Sequence, residues 1–134
     1  MPPPDPTQDY LKKRGLRADL VAGGLAGLLD RWAAVVASIR KGYDLTLDDY
    51  LNDMDLRQLI EDALPHATVR GHKQATVRLY ELDEQVRALL KEHPRCLWGA
   101  TAEARNGWTP EQNWWYFAVP RNPGPRLRQD LDRN

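Results

Sequence analysis

The stretch LVAGGLAGLLDRWAAVVASI, residues 20–39, decides the fold. Its apolar residues Val21, Leu25, Leu28, Trp32, Val35 and Ile39 are separated by 4, 3, 4, 3 and 4 positions, which lays one continuous seam along a helix. Leu29, Val36 and Tyr43 widen the seam on one flank, as a helix facing a globular core requires. The helix is read from Leu16 to about Lys41 and is closed by Gly42. Gly23 and Gly27 read as places where another helix comes close to the backbone. No strand precedes them and no GK[ST] follows, so they are not a phosphate loop.

On the N-terminal side, four prolines within residues 1–6 predict an extended or disordered lead. Thr7 reads as the cap of a short helix with body Tyr10 to Arg14 and stop Gly15. On the C-terminal side, Thr46 and Asp49 form an acidic capping box, so a helix starts near Leu47. Leu47, Leu51 and Met54 are out of phase with Leu56, Leu59, Ile60, Ala63 and Leu64. That predicts a kink or break near residues 52–55, recapped by Asp53 or Asp55, with Pro65 closing the element.

After a loop through Gly71, Ala75, Leu79, Leu82, Val86 and Leu89 are spaced 4, 3, 4 and 3 and predict a second long helix from about His72 to Glu92. Pro94 ends the helical part. Arg95 to Trp98 and Trp114 to Val119 read as two strands, with Asn106-Gly107 as turn signal, and Leu127 to Leu131 as a last helical turn. The expected fold is mainly α, a helical bundle of three to four helices with a C-terminal two-stranded β ribbon. Residues 1–6 form the Pro-rich lead and residues 7–134 one domain.

Composition narrows the function classes. A hydrophobic fraction of 42%, a charged fraction of 28% and zero net charge describe a globular protein without the basic field of a general polyanion binder. One cysteine, Cys96, allows no internal disulfide, and nothing at the N-terminus reads as an export signal, so a cytoplasmic location is expected. The most apolar run, Leu20 to Leu29, is ten residues long, short of the roughly 20 needed to span a bilayer. Charge is segregated: residues 44–64 carry seven acids against one base, and each flank carries a net charge of +3. The acids read either as a docking face for a basic partner or as a helix face offset within the fold.

No catalytic, metal or cofactor signature emerges. His66, His72 and His93 lack ligand spacing, and counting Asp53 as the first position of a calcium loop puts Gln58 where glycine is required and Leu64 where glutamate is required. Ser38 sits mid-helix without a nucleophile elbow, Cys96 reads as an inert buried thiol, and Glu81, Asp83 and Glu84 read as solvated.

What remains is aromatic. Six of the eleven aromatic residues lie between Trp98 and Phe117. On a strand, Trp114 and Tyr116 face one way and Trp115 and Phe117 the other, so both faces need covering. Trp108, Trp114, Trp115, Tyr116 and Arg121 are therefore the candidate protein-binding residues, since Trp, Tyr and Arg dominate interface hot spots. The expected function is a non-enzymatic cytoplasmic protein that binds another protein or a second copy of itself, with the acidic segment Asp44 to Asp62 as another contact surface. The alternative is a ligand or nucleic-acid binding module that stacks on Trp108, Trp114 and Tyr116 and holds phosphate with arginines. A third reading is an enzyme whose groups converge only in the fold.

Overall fold

Among the described residues, three long helices and three short ones pack together, with a two-stranded antiparallel ribbon near the C-terminal end. The computed structural model describes residues 5–133. In chain order the elements are α1 (Pro6–Lys13), α2 (Ala18–Arg40), α3 (Leu47–Ala63), α4 (Val69–Leu89), β1 (Leu90–Glu92), α5 (Ala100–Asn106), β2 (Ala118–Pro120) and α6 (Pro125–Asp132). Single 3₁₀ turns follow α3 at Leu64–His66 and precede β2 at Trp114–Tyr116. The mainly α bundle with its small C-terminal ribbon is as the periodicity predicts.

α2 is the centre of the fold and packs against α1, α3 and α4. Its seam is the core: Leu28 and Trp32 are fully buried, and Leu25, Val35 and Ile39 nearly so. At 23 residues, with an 18-residue stretch of mean hydropathy 1.5, α2 also has the length and apolarity of a membrane-crossing helix. A count restricted to Leu20–Leu29 misses this; in this fold the apolar stripe lies against the neighbouring helices. The helix ends as expected, with Gly42 N–H on Ile39 O and Tyr43 N–H on Ser38 O, the paired bonds of a Schellman close.

The glycines work differently from expectation. Open space surrounds Gly23 and Gly27, so neither admits a neighbouring helix. The special position is Gly24, whose φ of 59° and ψ of −158° kink α2. A Cβ there would meet the Asp5 carboxylate at 2.9 Å. The kink exposes Ala22 O, which accepts from Gln8 Nε2 at 2.9 Å. Asp5, not Thr7, caps α1: its Oδ1 accepts from Thr7 N–H at 2.9 Å, while Thr7 is buried. Pro6 therefore opens a helix; Met1 to Pro4 of the expected lead lie outside the described residues.

α3 runs unbroken through residues 52–55, against the expected kink. Its apolar residues meet more than one neighbour, because α2, α6 and the 114–116 turn all pack on it. A helix covered on more than one side has no single face to keep in phase. The Thr46–Asp49 capping box is present in both directions. α4 begins earlier than read, capped by Thr68 Oγ1 on Gly71 N–H at 3.0 Å, so Gly71 lies in its first turn.

The ribbon is real, but its strands are elsewhere. Leu90, Lys91 and Glu92 pair with Pro120, Val119 and Ala118. Arg95 to Trp98 is irregular, and the aromatic run winds into a 3₁₀ turn instead of extending. Asn106-Gly107 closes α5, with Gly107 in the left-handed region at φ 67°, in place of the expected hairpin turn. The last helical turn is present and longer, as α6, and buries Leu127 completely.

Tyr43 carries the one positive φ outside glycine among the described residues, at 36°. Its hydroxyl donates to Asp53 Oδ2 at 2.5 Å. Burial, with a smaller push from Asp49, raises the Asp53 pKa against the opposing Tyr43 bond. A carboxyl raised on folding contributes stability below its unfolded pKa, about 3.9 for Asp, and loses it as pH rises through the folded value. Asp53→Asn, whose amide oxygen still accepts from Tyr43, is therefore expected to melt higher than the parent at neutral pH. The gain should shrink to nothing below about pH 4. A gain independent of pH, read from thermal melts, would contradict this origin.

Candidate binding surface

The 114–117 turn distributes its four aromatics unequally. Trp114 is half-buried, whereas Trp115 and Tyr116 are 1% exposed and Phe117 is 7% exposed. Trp115 packs beneath the guanidinium of Arg57, 4.3 Å from the ring centroid. Arg57 is itself buried and forks onto Asp83, with Nε on Oδ1 at 3.1 Å and Nη2 on Oδ2 at 2.8 Å, while Nη1 reaches Glu61 Oε1 at 2.9 Å. Trp32 Nε1 also donates to Asp83 Oδ1, at 3.1 Å. Asp83 is thus a mostly buried anchor joining α2, α3 and α4, not the solvated acid expected from sequence. Trp115 Nε1 has no hydrogen-bond partner among the described residues.

Tyr116 turns to the other side of the molecule. Its hydroxyl donates to Asp55 Oδ1 at 2.6 Å, and Trp108 stacks on its ring at 4.1 Å. Both line a 560 Å³ cleft with Arg14, Asp55, Asp62 and Asn113. Much of the polar lining is already bonded within itself: Arg14 to Asp62, Gln58 to Asp62, Asn113 to Gln58. Burial, the Asp55 bond and nearby acids push the Tyr116 pKa further up, away from neutrality.

The acidic segment is largely committed inside the fold. Asp49 caps α3 and Asp53 holds Tyr43. Asp55 accepts from Tyr116 and Trp98, Glu61 from Arg57, and Asp62 from Arg14 and Gln58. Two of these acids, Glu61 and Asp62, meet a cation, and Asp49, Asp53 and Asp55 accept from neutral donors. Thr46 donors hold Asp49 below the usual carboxylate range, and burial raises the buried Cys96 thiol. A smaller hollow of 400 Å³ among α1, α2 and α4, lined by Leu25, Leu29 and Ala75, contains none of the sequence-read site residues.

Trp114 and Arg121 do come together. They line one 620 Å³ cleft with Arg87, Lys91, His93 and Glu111, and the Arg87 guanidinium lies 4.8 Å from the Trp114 ring centroid. A second hollow of 360 Å³ continues from it, sharing Lys91, His93 and Arg121 and adding Arg128 and Asp132. Arg87, Lys91, Arg121 and Arg128 make no ion pair among the described residues, while Arg14, Arg31, Arg57 and Arg78 do. The two hollows thus carry four cations without an ion pair among the described residues, with Glu92, Glu111 and Asp132 also in the lining, over apolar residues that include Phe117 and Val119.

Of the five candidate residues, Trp115 and Tyr116 belong to the core and Trp108 to the opposite cleft. Arg87, Lys91 and His93 stand outside the five because the expected helix runs on to Glu92, whereas α4 ends at Leu89 and β1 begins at Leu90; Arg128 is among the arginines beside the aromatic cluster in sequence. No family model, curated protein or solved structure matches this chain.

Proposed function

We propose that the chain is a non-enzymatic binding protein that holds an acidic segment of a partner protein in the cleft beside the ribbon. The observation that carries this reading is the convergence of Arg87, Lys91, Arg121 and Arg128, unpaired among the described residues, with half-buried Trp114 on two adjoining hollows. The cleft favours a peptide over single-stranded nucleic acid, because Trp114 is the one aromatic of the three stacking candidates that reaches the cations. In the opposite cleft, Tyr116 and Arg14 are both shifted away from neutrality, which suits a fixed hydrogen-bond network better than proton transfer.

An oligoglutamate peptide labelled with fluorescein is the direct probe. Anisotropy is expected to rise at low salt and to weaken as salt is added. Lys91→Glu with Arg121→Glu should weaken binding about tenfold or more, whereas Lys12→Glu with Lys13→Glu, the same charge change on exposed α1, should leave it nearly unchanged. Equal losses from both would reduce the interaction to net charge and remove the cleft.

A further inference from the structure

The register of the ribbon decides which side chains share its outer face. Lys91 and His93 are two apart on one strand, so they point the same way. Arg121 donates its N–H to Leu89 O at 2.9 Å, and His93 donates its own to Phe117 O at 2.8 Å, so the ladder extends one pair beyond each strand end. Arg121 therefore stands opposite Leu89 and diagonal to Lys91, at the roughly 7–8 Å reached by diagonal cross-strand pairs. Phe117 and Val119 fall on this same face, between the cations.

These three basic residues are the ones that matter, because they also line both hollows, along with no carboxylate. Glu92 and Glu111 line only the first hollow and Asp132 only the second. The residues shared by the two hollows are thus basic, and the acids line one hollow or the other. His93 Nδ1 lies 2.8 Å from Arg95 O, which positions the ring from the chain's own backbone. A carboxylate offers two oxygens and one charge to such a junction. A phosphate monoester offers three terminal oxygens and a charge near −2, which suits the two cations Lys91 and Arg121 with the His93 ring beside them as imidazolium.

We propose that Lys91, His93 and Arg121 form a phosphate-monoester site, occupied by a phosphorylated side chain of the partner protein. The proposal rests on the reading of this cleft as the binding face and names the group that anchors there. Flanking acidic residues of the partner then meet Arg87 in one direction and Arg128 in the other.

Three short fluorescein-labelled peptides of Glu and Gly test it, identical except for a central serine, aspartate or phosphoserine. The phosphoserine peptide is expected to bind the full chain about tenfold more tightly than the aspartate peptide, the gain of one further charge-assisted contact. Arg121→Gln and Lys91→Gln, both on exposed side chains, should each erase that advantage while the circular dichroism spectrum is retained. Equal affinity for the phosphoserine and aspartate peptides would overturn the phosphate site and leave the acidic-segment reading standing; failure of all three to bind would remove both. Inorganic phosphate titrated into ¹⁵N-labelled protein locates the site without any variant. Amide shifts centred on Lys91, His93 and Arg121 are expected, and shifts centred elsewhere would overturn the assignment.

Discussion

Arg57→Ala is expected to destabilise the protein by about 3–5 kcal/mol, the cost of breaking a buried ion pair by removing one partner. For a chain of this size that is a fall in Tm of roughly 10–20 °C. The guanidinium is 4% exposed as a residue, forks onto Asp83 and lies over the Trp115 ring. Its removal leaves the Asp83 carboxylate with Trp32 Nε1–H as a donor and opens a void over the Trp115 indole. Arg57→Lys keeps the charge but neither the fork nor the plane, so an intermediate loss is expected. Arg57→Met combined with Asp83→Leu removes both charges and refills the space, and should recover most of the loss. Thermal melts decide: a shift below about 3 °C for Arg57→Ala would place this pair with ordinary surface ion pairs.

Gly124→Ala should cost about 2–3 kcal/mol for reasons of space alone. With φ −68° and ψ 173°, Gly124 has a backbone conformation open to any residue. A Cβ, however, would stand 2.6 Å from Tyr43 O, 2.8 Å from Gly42 O and 2.9 Å from Asp44 Cα, all backbone atoms with no rotamer to change. The same substitution at Gly23, a helical position in α2 with open space around it, is expected to be neutral or to stabilise by about 0.5–1 kcal/mol. Opposite signs at the two sites, measured by denaturant midpoints, would establish close packing of α6 on the α2–α3 joint; a neutral Gly124→Ala would disprove it.

What was legible in the sequence is what repeats. The 4, 3, 4 spacings of α2 and α4 announce core helices because a helix that buries one face must repeat its apolar residues at that interval. α3 hid its continuity because several neighbours cover it, so its pattern looked like two helices. The aromatic run misled for a related reason: alternation and a 3₁₀ turn are both compatible with four consecutive bulky residues, and local propensity favours the strand. Asn-Gly serves hairpins and helix ends alike, and α5, with no buried residue, carries no periodicity to decide between them. Arg57 was visible as the lone base among seven acids of residues 44–64. Its burial was not, because that depends on Asp83, 26 residues further on.

The docking of α6 has a consequence for how the protein comes into being. Gly124 N–H bonds Tyr43 O at 3.1 Å, and Asp130 Oδ2 accepts from Leu47 N–H at 3.0 Å, so residues 124–130 fasten the joint between the second and third helices. Tyr50 Oη likewise waits for Ala118 O, 68 residues later. During synthesis, α2, α3 and α4 are made well before these partners emerge from the ribosome, leaving apolar residues such as Met54 and Leu28 to pack in an incomplete core. The nascent chain thus passes through a helical, unlatched stage, and the core closes only once residues 118–130 have been made.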